Sequence, residues 1–379
     1  MKKDLQNNMH IMHITCGYEK KKLYENLFNQ LADLDLVQEV IAPYYDRINV
    51  KGDEKFIIVP YKRDRNLFKR LMIKSRSRIL SSFIIENTNL ENKVIHAHSL
   101  FSDGAVAYYL NKKFKIPYIV AVRNSDINVY YKYFLHLRQF GFDILNNASK
   151  VLFLSYAYKK NVIENVVPSH FKDLIQNKSV VCPNGIDEIW FQNREYKTDL
   201  NQDVRLLYIG EYRFNKNIHS VVEAVNILNK RGMSMSLTAF GKGKNDEPDY
   251  VSKLDKLESK TFRTEKSLKS TELISNYKDY DIFVMPSFTE TFGLVYVEAL
   301  TQGLPIIYTR GQGFDGFFED GVVGYSVDPN DINDIANKIQ LIVNNYHKIS
   351  NNIANINLDM FKWDNIALSY KDIYESIKA

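Results

Sequence analysis

Asp281-Ile-Phe-Val-Met-Pro-Ser-Phe-Thr-Glu290-Thr-Phe-Gly-Leu-Val-Tyr-Val-Glu298-Ala-Leu-Thr-Gln-Gly303-Leu-Pro305 reads as strand, turn and helix in one stretch. Residues 282–285 are an apolar run of strand length, 286–291 form a polar loop, and apolar periodicity resumes at Phe292. Glu290 therefore stands just before a helix N-terminus and Glu298 inside the helix. The first N–H groups of a helix have no intrahelical acceptor and carry the positive end of its dipole, so this turn suits an anion, and a diphosphate in particular. Taken singly, Glu290 is also what a capping carboxylate looks like, and Glu298 a solvated helix-face residue.

Outward from this stretch, short apolar runs alternate with longer amphipathic ones, the pattern of βαβ units on parallel sheets. Strands are expected at 10–15, 39–42, 56–59, 94–97, 118–122, 150–154 and 179–181, then at 205–209, 236–240, 282–285 and 305–308. The polar segment 193–203 lacks apolar periodicity and separates the two series. The expectation is an α/β chain with domains at 1–192 and 204–360 and a terminal helical segment at 361–379.

The length of 379 residues favours two domains, and a net charge of +5 spread along the chain is a mild excess rather than a nucleic-acid-binding stripe. The two cysteines, Cys16 and Cys182, give neither metal-ligand spacing nor a disulfide framework. Met1-Lys2-Lys3-Asp4 is not followed by the apolar stretch of a secretory signal, and no run approaches a membrane span. The expected location is cytoplasmic.

Seven residues lie between Glu290 and Glu298, and with Phe292-Gly293-Leu294, Glu298-Ala299-Leu300 and Gly303-Leu304-Pro305 this spacing resembles the signature of retaining glycosyltransferases of family four, the glycosyl transferases of group 1. The resemblance implies the GT-B fold: two Rossmann-like doubly wound domains, acceptor on the first, nucleotide-sugar on the second, and a C-terminal helix crossing back to the first. It implies that Glu290 binds hydroxyls of the donor sugar, that Glu298 accepts from the nucleotide ribose, and that the amides of Phe292, Gly293 and Leu294 meet the phosphates. A carboxylate is an acceptor-only group that takes two vicinal hydroxyls at once.

Leu207-Tyr-Ile-Gly210 followed by Lys216-Asn217 resembles the opening of the family's second domain, where a lysine, here Lys216, contacts the diphosphate. The family's arginine after that glycine is absent; Glu211 stands there, and Arg213 is the nearest substitute. Gly241-Lys-Gly243 and Cys182-Pro-Asn-Gly-Ile-Asp187 match further turns, and Phe361-Lys-Trp363 matches the segment leading into the returning helix. In the first domain, Thr15-Cys-Gly17 resembles the family's glycine turn, implying a close backbone approach at Gly17. His98 in Val94-Ile-His-Ala-His98 reads equally as a substrate contact and as a structural histidine. Arg123 in Arg123-Asn-Ser-Asp126 replaces the histidine that reaches the sugar in the family; it points to an acidic sugar or acceptor, or else pairs with Asp126.

The resemblance implies transfer without a metal or separate cofactor, from a nucleotide-sugar, a UDP-sugar being favoured, to a glycan or lipid-linked acceptor in cell-surface polysaccharide synthesis. A sugar-nucleotide epimerase, a dinucleotide oxidoreductase and a non-catalytic partner subunit are the alternatives; no Gly-x-Gly-x-x-Gly follows the first strand, against the oxidoreductase. Finally, at 62–80 Lys62, Arg63, Arg65, Lys69, Arg70, Lys74, Arg76 and Arg78 interleave with apolar residues. This is either a basic amphipathic helix for an anionic membrane surface or a charged helix packed on the first domain.

Overall fold

The computed structural model describes residues 9–18, 22–44, 55–62, 72–192, 194 and 196–378. Two compact units are present: one runs up to Leu154 and adds Lys159–Asn184 and the chain from Trp363 onward, and the other comprises Ser155–Tyr158 and Gly185–Lys362. The division falls between Asn184 and Gly185, ahead of the polar segment expected to link the domains. Gly185–Gln192 belong with the second unit because Ile186 bridges to Lys362 and Trp190 sets its ring edge-on to Tyr277 there.

In the first unit β1 (His10–Ile14), β2 (Val37–Tyr44), β3 (Ile57–Lys62), β4 (Lys93–Ala97), β5 (Tyr118–Ala121), β6 (Lys150–Phe153) and β7 (Ser179–Val181) form a parallel sheet in the order β3-β2-β1-β4-β5-β6-β7. Its central strands are buried apolar runs, as a sheet covered on both faces requires. Strand order reverses between β1 and β4, so the loops leaving their carboxyl ends diverge and leave a crevice, the usual place for a ligand.

The helix Trp363–Lys378 carries Trp363, Ile366, Ala367, Tyr370, Ile373 and Tyr374 at helical spacing, and these share the first unit's core with Leu27, Phe28, Leu31 and Val40. Each large apolar side chain buried this way contributes roughly 1.5–3 kcal/mol. Lys62 closes β3, paired with Tyr44, and so does not head a basic helix; the helix of this region is Ile73–Asn87. The remainder of the basic stretch, with Arg63, Arg65, Lys69 and Arg70, lies outside the described residues. Among those described, no helix is long and apolar enough to cross a membrane.

The second unit holds β8 (Asp203–Ile209), β9 (Ser234–Lys242), β10 (Phe262–Lys266), β11 (Ile282–Val284), β12 (Ile306–Thr309) and β13 (Gly324–Val327), parallel in the order β10-β9-β8-β11-β12-β13. The two edge strands, β10 and β13, were not among those expected. Phe262 is the one buried residue of β10, and β13 is four residues opening on glycine, so neither offers the apolar run by which a central strand is known. The order reverses between β8 and β11, which places the second crevice beside the quoted strand-turn-helix.

Where β8 and β9 end, a Cβ on Gly241 would lie 1.8 Å from the Gly210 carbonyl oxygen, and the backbone there has φ +153°. No side chain fits without parting the two strands. Gly241→Ala is expected to destabilise the second unit by about 1–3 kcal/mol or more, read as a lower urea midpoint; an unchanged midpoint would show that the strand ends separate freely.

Candidate active site

The loop after β8 is tied to the loop after β11 by two asparagines. Asn215 donates from Nδ2 to the Thr289 carbonyl at 3.0 Å, accepts the Thr289 hydroxyl at 2.6 Å, and its own carbonyl takes the Phe288 N–H at 2.8 Å. Asn217, fully buried with φ +59°, donates from Nδ2 to the carbonyls of Pro286 and Pro329 at 3.1 and 2.8 Å. Asparagine tolerates this left-handed conformation better than most residues. Lys216 stands between them, and its Nζ reaches Glu290 Oε2 at 2.8 Å.

Glu290 is held from every side. Its second carboxylate oxygen accepts the Thr291 N–H at 3.0 Å, and its carbonyl takes the Gly313 N–H at 3.0 Å. Gly313 has φ +48°, and a Cβ there would come within 2.8 Å of Glu290 Cγ. Directly after, Gly293 at φ +84° caps the helix Leu294–Thr301, with no room for a side chain because the Tyr296 ring lies 2.4 Å from where its Cβ would be. The Tyr296 hydroxyl donates to the Met285 carbonyl at 2.6 Å and so ties this helix to the strand it follows. The N–H groups at the start of that helix, beside Phe292, Gly293 and Leu294, have no intrahelical acceptor and face the crevice end of the sheet.

Glu298 lies in the same helix, and burial, followed by the Asp187 carboxylate, pushes its pKa up to about 7. The Tyr277 hydroxyl is buried without a hydrogen-bond partner, and Glu298 adds to the burial that raises its pKa. Arg213 is half exposed between Glu211 at 3.6 Å and Glu247 at 3.4 Å, so two carboxylates already face the guanidinium expected to meet phosphate. Gly210 closes β8, its N–H donating to the Phe240 carbonyl.

In the first unit, Gly17 and Arg123 follow β1 and β5 at the carboxyl end of the sheet. Arg123 donates from Nε to the His98 carbonyl at 2.9 Å. Asp126 acts on its backbone: the buried carboxylate accepts the N–H groups of Arg123, Leu100 and Phe101 at 2.8, 2.9 and 3.1 Å, stapling the loop after β4 to the loop after β5. Burial raises the Asp126 pKa to about 6 against these three hydrogen bonds. His98 is fully buried and belongs to a chain of hydrogen bonds.

The direction of that chain follows from Gln38, which donates from Nε2 to the Phe28 carbonyl at 2.9 Å and thereby turns Oε1 toward His13 Nε2 at 3.1 Å. His13 must donate there, so its Nδ1 accepts from His98 Nε2 at 3.1 Å. His96, level with His13 across the sheet, shares a 2.7 Å hydrogen bond with the Tyr374 hydroxyl of the terminal helix. The three histidines offer ring nitrogens within 4.8 Å of one another, the one metal-capable cluster found among the described residues. A metal lies in the plane of each ligating ring, whereas the His96 and His98 rings are stacked 3.9 Å apart at 24°, so their lone pairs do not converge on one point. The cluster is a neutral hydrogen-bonded core.

The sequence model of the family described as Glycosyl transferases group 1 matches residues 191–357. An uncharacterized glycosyltransferase of Methanocaldococcus jannaschii is 24% identical over 362 residues, covering 93% of both chains. The alpha-monoglucosyldiacylglycerol synthase of Acholeplasma laidlawii is 28% identical over 315 residues, 77% of each. Among solved structures, Anabaena HepE in complex with UDP and glucose superposes with a TM-score of 0.68 at 16% identity, covering 97% of this chain and all of that one. Residues 191–357, within the second unit, therefore carry the pattern of the glycosyl transferases of group 1. The fold of the chain is GT-B.

Several residues that shape this site escape a reading of the sequence. Asn215 and Asn217 flank the expected lysine, and polar amides on both sides of a loop cation are the signal that was available. Gly311-Gln-Gly313 after β12, with φ +72° and +48° at its glycines, backs Glu290 from a distant part of the chain. Asp187, which raises the Glu298 pKa, lies in what reads as an ordinary Asn-Gly turn.

His13 has its pKa lowered to about 3 by burial, and burial holds His96 and His98 well below the usual range. The folded state keeps these rings neutral, so the stability they contribute is present above about pH 6.5 and is lost as pH falls from there toward the folded values. Asp126 acts in the opposite sense, gaining on folding when protonated. Comparing wild type with His13→Asn isolates the histidine: wild type should lose more stability between pH 7 and 4.5, seen in urea unfolding. Parallel pH curves would mean that the rings titrate freely in the folded chain.

Proposed function

We propose that this glycosyltransferase moves a sugar from a UDP-sugar to a glycan or lipid-linked acceptor with retention of anomeric configuration, needing no metal at the diphosphate. The observation that carries the reading is the Lys216–Glu290 pair set at the N-terminus of the helix Leu294–Thr301. Lys216 and the helix amides would take the diphosphate and stabilise charge growing on it as the bond to the sugar breaks, the role a cation plays elsewhere. Glu290 would accept sugar hydroxyls, and Glu298 those of the ribose. Arg123 on the first unit would face an acidic group of sugar or acceptor. HepE's complex with UDP and glucose supports the choice of donor.

The diacylglycerol-glucosylating relative supports a lipid-linked acceptor, used in building cell-surface glycans from the cytoplasmic side of a membrane. The helix Ile73–Asn87 supports contact with an anionic surface, since Met72 and Ile79 are 56% exposed beside Lys74 and Arg78. Part of that charge is spent within the fold, Lys74 lying over the Phe140 ring and Arg78 over Tyr109.

Transfer should persist in excess EDTA and give a glycoside whose anomeric proton matches the donor by NMR; inversion, or strict dependence on a divalent ion, would sink the mechanism. Lys216→Ala should lower kcat roughly 10²-fold with a smaller change in donor affinity, since its charge counts most as the leaving diphosphate forms. An effect confined to KM would reduce Lys216 to a binding contact.

With its pKa raised to about 7, Glu298 would accept two ribose hydroxyls as a carboxylate above that pH and, once protonated below it, would offer one uncharged acceptor in their place. UDP affinity, measured calorimetrically, should fall between pH 8 and 6, and Glu298→Gln should flatten the dependence.

A further inference from the structure

A cavity of about 190 Å³ opens in the first unit between the carboxyl ends of β1, β3 and β4 and the helix Ile73–Asn87. That is the volume of roughly six waters, enough for a charged headgroup and the start of a chain but not for a whole lipid. Lys62 from the end of β3 and Arg76 from the helix supply positive charge, and Ser77 and Ser102 supply hydroxyls. Tyr61 adds a ring with a third hydroxyl, and most of the remaining described wall is aliphatic: Ile73, Leu80 and Val106 lie deep, and Ile79, 56% exposed, forms a lip at the surface.

The composition of this lining selects its ligand. A neutral sugar is held chiefly by carboxylates and carboxamides, which accept from its hydroxyls; no such side chain is among the described residues that line the cavity, where the side-chain acceptors are the hydroxyls of Tyr61, Ser77 and Ser102. Two cations with hydroxyl donors match an anion's oxygens, and an aliphatic wall leading to an apolar lip matches a hydrocarbon attached to that anion. We propose that this cavity takes the phosphate headgroup of an amphiphile, a phosphate ester on an apolar chain. The inference rests on the reading of the protein as a glycosyltransferase with its acceptor on the first unit, and it names the acceptor's class: a phosphate-bearing lipid or lipid-linked sugar. The cavity shares the carboxyl end of the sheet with Gly17 and Arg123, Cys16 lining it directly after β1.

The test uses the full chain and decyl phosphate below its micelle concentration, with inorganic phosphate and decyl maltoside as controls, in titration calorimetry. One decyl phosphate should bind per chain, and Lys62→Gln and Arg76→Gln should each weaken it roughly tenfold; the uncharged change Ile79→Asn should weaken it without altering inorganic phosphate binding. Equal affinity for inorganic phosphate would remove the apolar part, equal affinity for decyl maltoside the anionic part, and unchanged binding in all three variants the site itself. Sedimentation with phosphatidic acid vesicles separates the sources. Recovery with vesicles that drops in Arg76→Gln assigns the headgroup to a bilayer lipid, and binding of monomeric decyl phosphate alone assigns it to a lone lipid-linked substrate. UDP binding is measured in the same samples: its failure overturns the glycosyltransferase reading, while decyl phosphate binding judges the cavity by itself.

Discussion

The second unit is organised around the meeting of Lys216 and Glu290 at 2.8 Å, with both side chains mostly withdrawn from solvent. An ion pair of this kind adds little net stability, because desolvating both groups offsets most of their attraction, but breaking it from one side leaves a buried charge without a partner. The surroundings are built to hold it. Asn215 and Asn217 fix the backbone on either side of the lysine, while Gln312 and Gly313 fix that of the glutamate and the Thr291 N–H holds its carboxylate. Three separate loops, after β8, β11 and β12, are therefore committed to one pair, and Gly293 and Gly313 are both in backbone conformations that leave room for it.

The pair also bears on selectivity in the proposed reaction. In that reaction a diphosphate would draw on Lys216, and the sugar's hydroxyls would replace the lysine at Glu290. A nucleoside diphosphate arriving alone would leave Glu290 charged, partly buried and close to phosphate. A donor carrying its sugar would satisfy both halves, so under the proposed reaction the arrangement would favour the intact nucleotide-sugar over the spent nucleotide by whatever the displaced carboxylate costs. Arg213, facing Glu211 and Glu247, offers less: any anion it meets competes with two carboxylates already in place.

What could be read from the sequence follows from how local each feature is. β1, β4, β5, β8 and β11 are mostly apolar, buried runs, so periodicity finds them, whereas of the edge strands β10 is largely exposed and β13, though buried, is four residues that include a glycine and a serine. Glu290, Gly293 and Glu298 were legible because one strand-turn-helix carries all three at fixed spacing. Asp187 and Gln312 act on those same glutamates from other turns, and no local spacing announces them. Lys62 was misread for a related reason: its parallel pairing with Tyr44 on β2 outweighs the basic character of the residues that follow it.

The first unit shows the same principle at the level of charge. Arg123 stands out in the sequence as a departure, and one of two readings open for it was a pair with Asp126. The Asp126 carboxylate takes the Arg123 backbone N–H together with those of Leu100 and Phe101. Three N–H donors compensate a buried carboxylate without needing a cation, and the guanidinium is oriented separately through the His98 carbonyl. Below it, Gln38, His13 and His98 pass a hydrogen bond along in one direction, with His96 and Tyr374 alongside. Tyr374 belongs to the terminal helix, so the packing of the last residues of the chain and the position of Arg123 rest on one buried polar cluster.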